Sequence, residues 1–90
     1  MVMNQLESRK GATMNSQDLR QAFLDRESIV GVEFQHNDYV RVIDGPHRGV
    51  NGSLVSLEAI ESEPIFLVEL EERGDVEIRQ SHLCFISHDM

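Results

Sequence analysis

The segment Val42-Ile43-Asp44-Gly45-Pro46-His47-Arg48-Gly49-Val50-Asn51-Gly52-Ser53-Leu54-Val55 constrains the fold more than any other part of the chain. An alternating apolar run enters a tight loop that holds Gly45, Pro46, Gly49 and Gly52, and a second apolar run leaves it. Proline pre-sets its own φ for a turn, and glycine reaches backbone angles barred to other residues. Strands hinged in this way form a rigid, tightly curled hairpin.

The flanking sequence continues in the same style. Val32 and Phe34 alternate around Glu33 as a brief strand or lead-in, and Tyr39–Ile43 is the first strand of the hairpin. Ser53–Ile60 is the second, Glu61-Ser62-Glu63-Pro64 turns it, and Ile65–Glu71 is the most strongly patterned strand. Arg73-Gly74-Asp75 reads as a hairpin turn into Val76–Arg79, Gln80–Leu83 as a single 3₁₀ turn, and Cys84–Ile86 as a closing strand. Such short connections imply antiparallel neighbours throughout. Five short strands joined so are expected to close as a small barrel, which hides the sheet edges.

Upstream, the spacing predicts one helix from Ser16 to about Ile29. Asn15 or Ser16 caps it, and Asp18 lies where the helix dipole favours negative charge. Leu19, Ala22, Phe23 and Val30 share one face, and Gly31 is placed to stop it in a left-handed cap. Residues 1–14 are polar without apolar period and read as a disordered tail. Three of the four methionines precede the first convincing element, which makes Met14 a candidate start. The expected division is a tail over 1–14, a helix over 15–31 and a barrel over 32–88.

Ninety residues make one domain with a modest core. No apolar run approaches the roughly 18 residues of a membrane span, and no secretory h-region opens the chain, so a cytoplasmic protein is expected. A single cysteine, Cys84, excludes an intramolecular disulfide, and its apolar neighbours predict a buried, inert thiol.

The net charge of −8 is unevenly placed. Residues 1–30 hold four acids (Glu7, Asp18, Asp25, Glu27) and four bases (Arg9, Lys10, Arg20, Arg26). Residues 31–90 hold the other twelve acids against Arg41, Arg48, Arg73 and Arg79 alone. Nucleic-acid affinity rests largely on Lys and Arg displacing counterions, so this acidic, lysine-free region is poorly made for it.

The loop and its flanks resemble the KOW motif of SH3-like barrels, found in NusG-type transcription factors and a large-subunit ribosomal protein. Val40 and Val42 fit the apolar positions before the loop, Gly45, Pro46, Arg48, Gly49 and Gly52 fit the loop, and Leu54 and Leu57 fit the apolar pair after it. Val76–Leu83 is similar to the strand and short turn that end the NusG-type barrel, while His47 stands where the usual loop aromatic would be. The resemblance covers about 38–86 and implies a mainly β, five-stranded antiparallel SH3-like barrel preceded by one helix. It further implies docking of a protein partner in a transcription- or translation-associated setting, or RNA binding as in the ribosomal relative.

Catalysis finds little support. His36, His47, His82 and His88 include no pair at metal-ligand spacing, there is no cysteine pair, and no Lys-Ser/Thr follows the loop as in a phosphate cradle. No enzyme activity, metal or cofactor is therefore expected. The expected function is a monomeric protein-interaction module with little or no nucleic-acid binding and no membrane contact. Tyr39, Arg41, His47, Arg48 and Phe66 would form its partner surface, with Gly45, Pro46, Gly49 and Gly52 as the structural loop. RNA binding through Arg41, Arg48 and His47 is the first alternative. An acidic inhibitor that mimics nucleic acid is the second, with Glu69, Glu71 and Glu77 hinting at an acidic face.

Overall fold

Asn15 sets the first element: its side-chain oxygen accepts from the Asp18 N–H at 2.9 Å, satisfying a first-turn donor, and helix α1 follows over Ser16–Leu24. The structure is a computed structural model that describes residues 15–88, so the expected tail and the candidate start at Met14 lie outside the described residues. Leu19, Ala22 and Phe23 are buried on one face of α1, as their spacing predicts.

The helix ends earlier than expected. Arg26, at φ 59°, takes the left-handed position. The Arg26 N–H donates to the Phe23 carbonyl at 3.0 Å and the Glu27 N–H to the Ala22 carbonyl at 2.9 Å, which closes a Schellman motif. Val30 therefore leaves the helical face and is 97% exposed, and the left-handed Gly31 lies in the following loop. Val32–Phe34 forms no strand. Instead the Gln80 side chain pins this segment, accepting from the Glu33 N–H at 2.9 Å and donating to the Gly31 carbonyl at 3.0 Å.

Five strands follow: β1 (Tyr39–Val42), β2 (Asn51–Ile60), β3 (Pro64–Leu70), β4 (Gly74–Arg79) and β5 (Leu83–Ser87). A 3₁₀ turn at Gln80–His82 separates the last two. The fold is mainly β, one antiparallel sheet in the order β4-β3-β2-β1-β5 together with the single helix. The β3–β4 turn falls at Glu71–Arg73, so Gly74 and Asp75 already belong to β4. Among the described residues no helix is long and apolar enough to cross a membrane.

The core lies between one face of the sheet and α1. Val40, Val42, Leu54, Leu57, Phe66, Val68 and Leu70 are almost wholly buried there, joined by Phe23, Phe34, Ile78 and Leu83. Register shifts at Leu54/Ser56 and Leu57/Ala59 let Leu54 and Leu57, three residues apart, both point inward, and bulges of this kind bend a sheet. Cys84 is exposed, contrary to the expected buried thiol. It pairs with Arg41 while its neighbour Leu83 pairs with the buried Val42, so strand alternation turns the thiol outward.

Candidate functional site

Backbone hydrogen bonds brace the β1–β2 loop. The Gly49 N–H donates to the Val42 carbonyl at 2.7 Å, the Val42 N–H to the Val50 carbonyl at 2.9 Å, and the Val50 N–H to the His47 carbonyl at 3.1 Å. The Asp44 side chain accepts from the Gly45 N–H at 2.8 Å. Gly45 and Gly49 hold φ of +86° and +92°, the left-handed region that the Gly-Pro pattern predicts. The Ile43 N–H donates to the His82 carbonyl at 2.8 Å, which fastens the loop's entry to the 3₁₀ turn.

This brace leaves a cleft of about 290 Å³ between the loop and β4. Val42, Val76 and Ile78 give it apolar walls, and Pro46 and His47 line it from the loop. Asp44, Glu77, Arg79 and His82 supply its charged and polar lining. The His47 Nδ1 is buried with no hydrogen-bond partner among the described residues. An unpaired buried nitrogen of this kind costs about 1–3 kcal/mol until something bonds to it.

The charges around the cleft are partly committed. His82 Nε2 lies 3.9 Å from Asp44 Oδ2, within ion-pair range but too long for a hydrogen bond. Arg79 stands 4.0 Å from Glu63. Glu63 accepts from the Ser81 N–H at 2.7 Å and from the Ser81 hydroxyl at 2.9 Å, which fixes the 3₁₀ turn against the β2–β3 turn. The Ser81 N–H holds the Glu63 carboxyl below its usual range, desolvation opposes this, and the Ser81 hydroxyl, Arg79 and His82 add to the lowering.

The structure divides the residues expected to form one partner surface. Tyr39 and Arg41 lie on the sheet face opposite the core: the Tyr39 hydroxyl donates to the Glu71 carboxylate, and Arg41 Nε donates to Asn51 Oδ1 at 2.9 Å. His47 instead lines the cleft, and Arg48 is exposed in the loop, with no side-chain hydrogen bond or ion pair among the described residues. Phe66 is not on the surface. It is 0% exposed, sits opposite Leu57 and Ile78, and meets the rings of Phe23 at 5.5 Å and Phe34 at 5.7 Å. β3 is apolar at both parities, and the core takes Phe66 and Val68 while Ile65 and Leu67 turn to the half-buried face.

Asp44, Arg79 and His82 escaped the sequence reading of the site, and Glu77 entered it only as part of an acidic face. Their only signal is position, on β4, the following turn and the loop entry, and pattern alone does not show that these meet. Among the described residues no group of three or more His, Cys, Asp or Glu side chains could hold a metal ion. No known protein family matches the chain, and no curated protein matches it in sequence.

Proposed function

We propose that the chain is a non-enzymatic interaction module, an SH3-like small barrel of the KOW type that binds a protein partner in a cytoplasmic, transcription- or translation-associated setting. The braced loop carries this reading: it presents Pro46, His47 and Arg48 beside an apolar-walled cleft with one unpaired ring nitrogen. Side chains on a loop held by six backbone and side-chain bonds among the described residues lose little entropy on binding. A fifth strand beside the first and the bulges of β2 support a curled, partly open barrel in which β4 and β5 remain the two edges.

RNA binding is the weaker reading. Arg41 is tied to Asn51 and Arg79 faces Glu63, which leaves Arg48 and Arg73 as the uncommitted cations of this region among the described residues. Glu69 lies directly opposite Asp75, with Glu77 next along β4, so the outer face repels phosphate. That same pairing favours a second reading, an acidic protein that occupies the nucleic-acid surface of a basic partner.

Affinity capture from extract of the cells that make the protein, with and without nuclease, tests the class. A bound protein that survives nuclease is expected. Loss of all bound protein on nuclease treatment assigns RNA binding, and release of a basic partner by added duplex DNA assigns mimicry.

A further inference from the structure

The two end strands of the sheet differ in chemistry. β4 carries Asp75, Glu77 and Arg79, all exposed. β5 reads Leu83-Cys84-Phe85-Ile86-Ser87 and carries no charge. Edge strands present unpaired backbone groups, and charged side chains are a common guard against pairing with another chain. β4 has that guard and β5 lacks it. Among the described residues the outer edge of β5 has no strand partner. Apolar surface gathers there too: Phe85 is 44% and Ile86 42% exposed, and Ile43, bonded through its N–H to His82 just before β5, is 47% exposed.

We propose that β5 pairs antiparallel with β5 of a second copy of this chain, about a two-fold axis at Phe85. Charge selects a second copy. With twelve acids against four bases over 31–90, most faces of two copies repel each other, and the uncharged β5 edge is where they meet without that penalty. Symmetry selects it as well, because a two-fold interface must be self-complementary. Pairing centred on Phe85 sets Cys84 opposite Ile86 and Leu83 opposite Ser87, so no charge faces a charge or an apolar group. The flanking imidazoles have their own acids, His82 with Asp44 at 3.9 Å and His88 with Asp38 at 2.6 Å. The dimer replaces the monomer expected from the sequence and does not rest on the loop-and-cleft reading.

Sedimentation equilibrium of the full chain tests the pairing. A monomer–dimer equilibrium with Kd below about 1 mM is expected, weakened at least about tenfold by Phe85→Lys/Ile86→Lys with the thermal melt retained. A covalent test does not depend on that variant folding. Directly opposed residues of an antiparallel pair have Cα atoms about 4.5–5.5 Å apart, within disulfide reach. Cys84→Ser/Phe85→Cys should therefore form a covalent dimer on mild oxidation, whereas Cys84→Ser/Glu77→Cys, on the charged edge, should not. A wild-type chain that stays monomeric through this range, an undiminished dimer in the folded lysine variant, or equal crosslinking from β4 overturns the proposal.

Discussion

Gly52 and Glu69 meet backbone to backbone: a Cβ on Gly52 would lie 2.5 Å from the Glu69 carbonyl oxygen and 3.0 Å from Leu70 Cα. Gly52 sits within β2, paired with Leu70, so glycine is required there by the closeness of β3 and not by a left-handed turn. Gly49 is the reverse case, at φ +92° with open space around it. Gly52→Val is expected to lower unfolding free energy by about 3 kcal/mol or more through overpacking against backbone. Gly49→Val should lower it by about 1–3 kcal/mol, through backbone strain alone. Urea unfolding of both variants checks the order, and equal losses would contradict the close approach.

The unpaired His47 Nδ1 makes an opposite kind of prediction. His47→Phe keeps a ring of similar size at the loop and removes the buried nitrogen, so it should raise stability by about 1 kcal/mol. A thermal melt reads the shift. A lowered Tm would mean that the nitrogen is satisfied in solution.

Two carboxylates should shape the acid limb of stability. The Ser56 hydroxyl bonds to Glu58 and lowers its pKa, burial opposes this, and Arg20, 2.6 Å away, lowers it further. Glu63 is lowered chiefly by the Ser81 N–H. A carboxyl held below its ordinary value of 4.5 contributes stability above that pH and loses it as the pH falls through the lowered folded value. Tm should therefore drop on acidification below about pH 4.5, and Glu58→Gln, less stable at neutral pH, should show a shallower drop. An unchanged acid limb in Glu58→Gln would remove that residue from the explanation.

Nucleic acids should bind weakly. Single-stranded and duplex RNA and DNA are expected to give Kd no tighter than about 10⁻⁶–10⁻⁴ M at physiological salt, measured by fluorescence anisotropy. A salt-dependent complex tighter than that would promote Arg48 and Arg73 to phosphate ligands.

Much of the fold was legible because its signals are local. Asn15 and Asp18 announce the helix start, short apolar runs bounded by turn residues announce the strands, and Gly45 and Gly49 hold the left-handed angles that their loop requires. The misses at Phe66 and Cys84 share a cause, since each depends on a contact between distant segments, whereas the early end of α1 is a local competition. Arg26 ends α1 where Gly31 was the stronger local signal, because an arginine can occupy a left-handed cap when the surrounding bonds close. Phe66 and Leu67 are equally apolar, and only the packing of Phe23 and Phe34 against the sheet decides which enters the core. Cys84 turns outward because Leu83 opposes Val42. The site was half legible: the loop residues were readable, while the cleft needs Glu77, Arg79 and His82 brought beside them by the 3₁₀ turn.

The most direct test of the loop and cleft as a protein-binding site is quantitative capture of nuclease-resistant partner by the full chain and two charge variants. Arg48→Glu/Glu77→Arg changes exposed residues beside the cleft and should cut the captured protein by about tenfold or more with an unchanged melt. Phe85→Lys/Ile86→Lys, on the far edge strand, should capture as much as wild type. Undiminished capture by the folded Arg48→Glu/Glu77→Arg variant would contradict the proposed site.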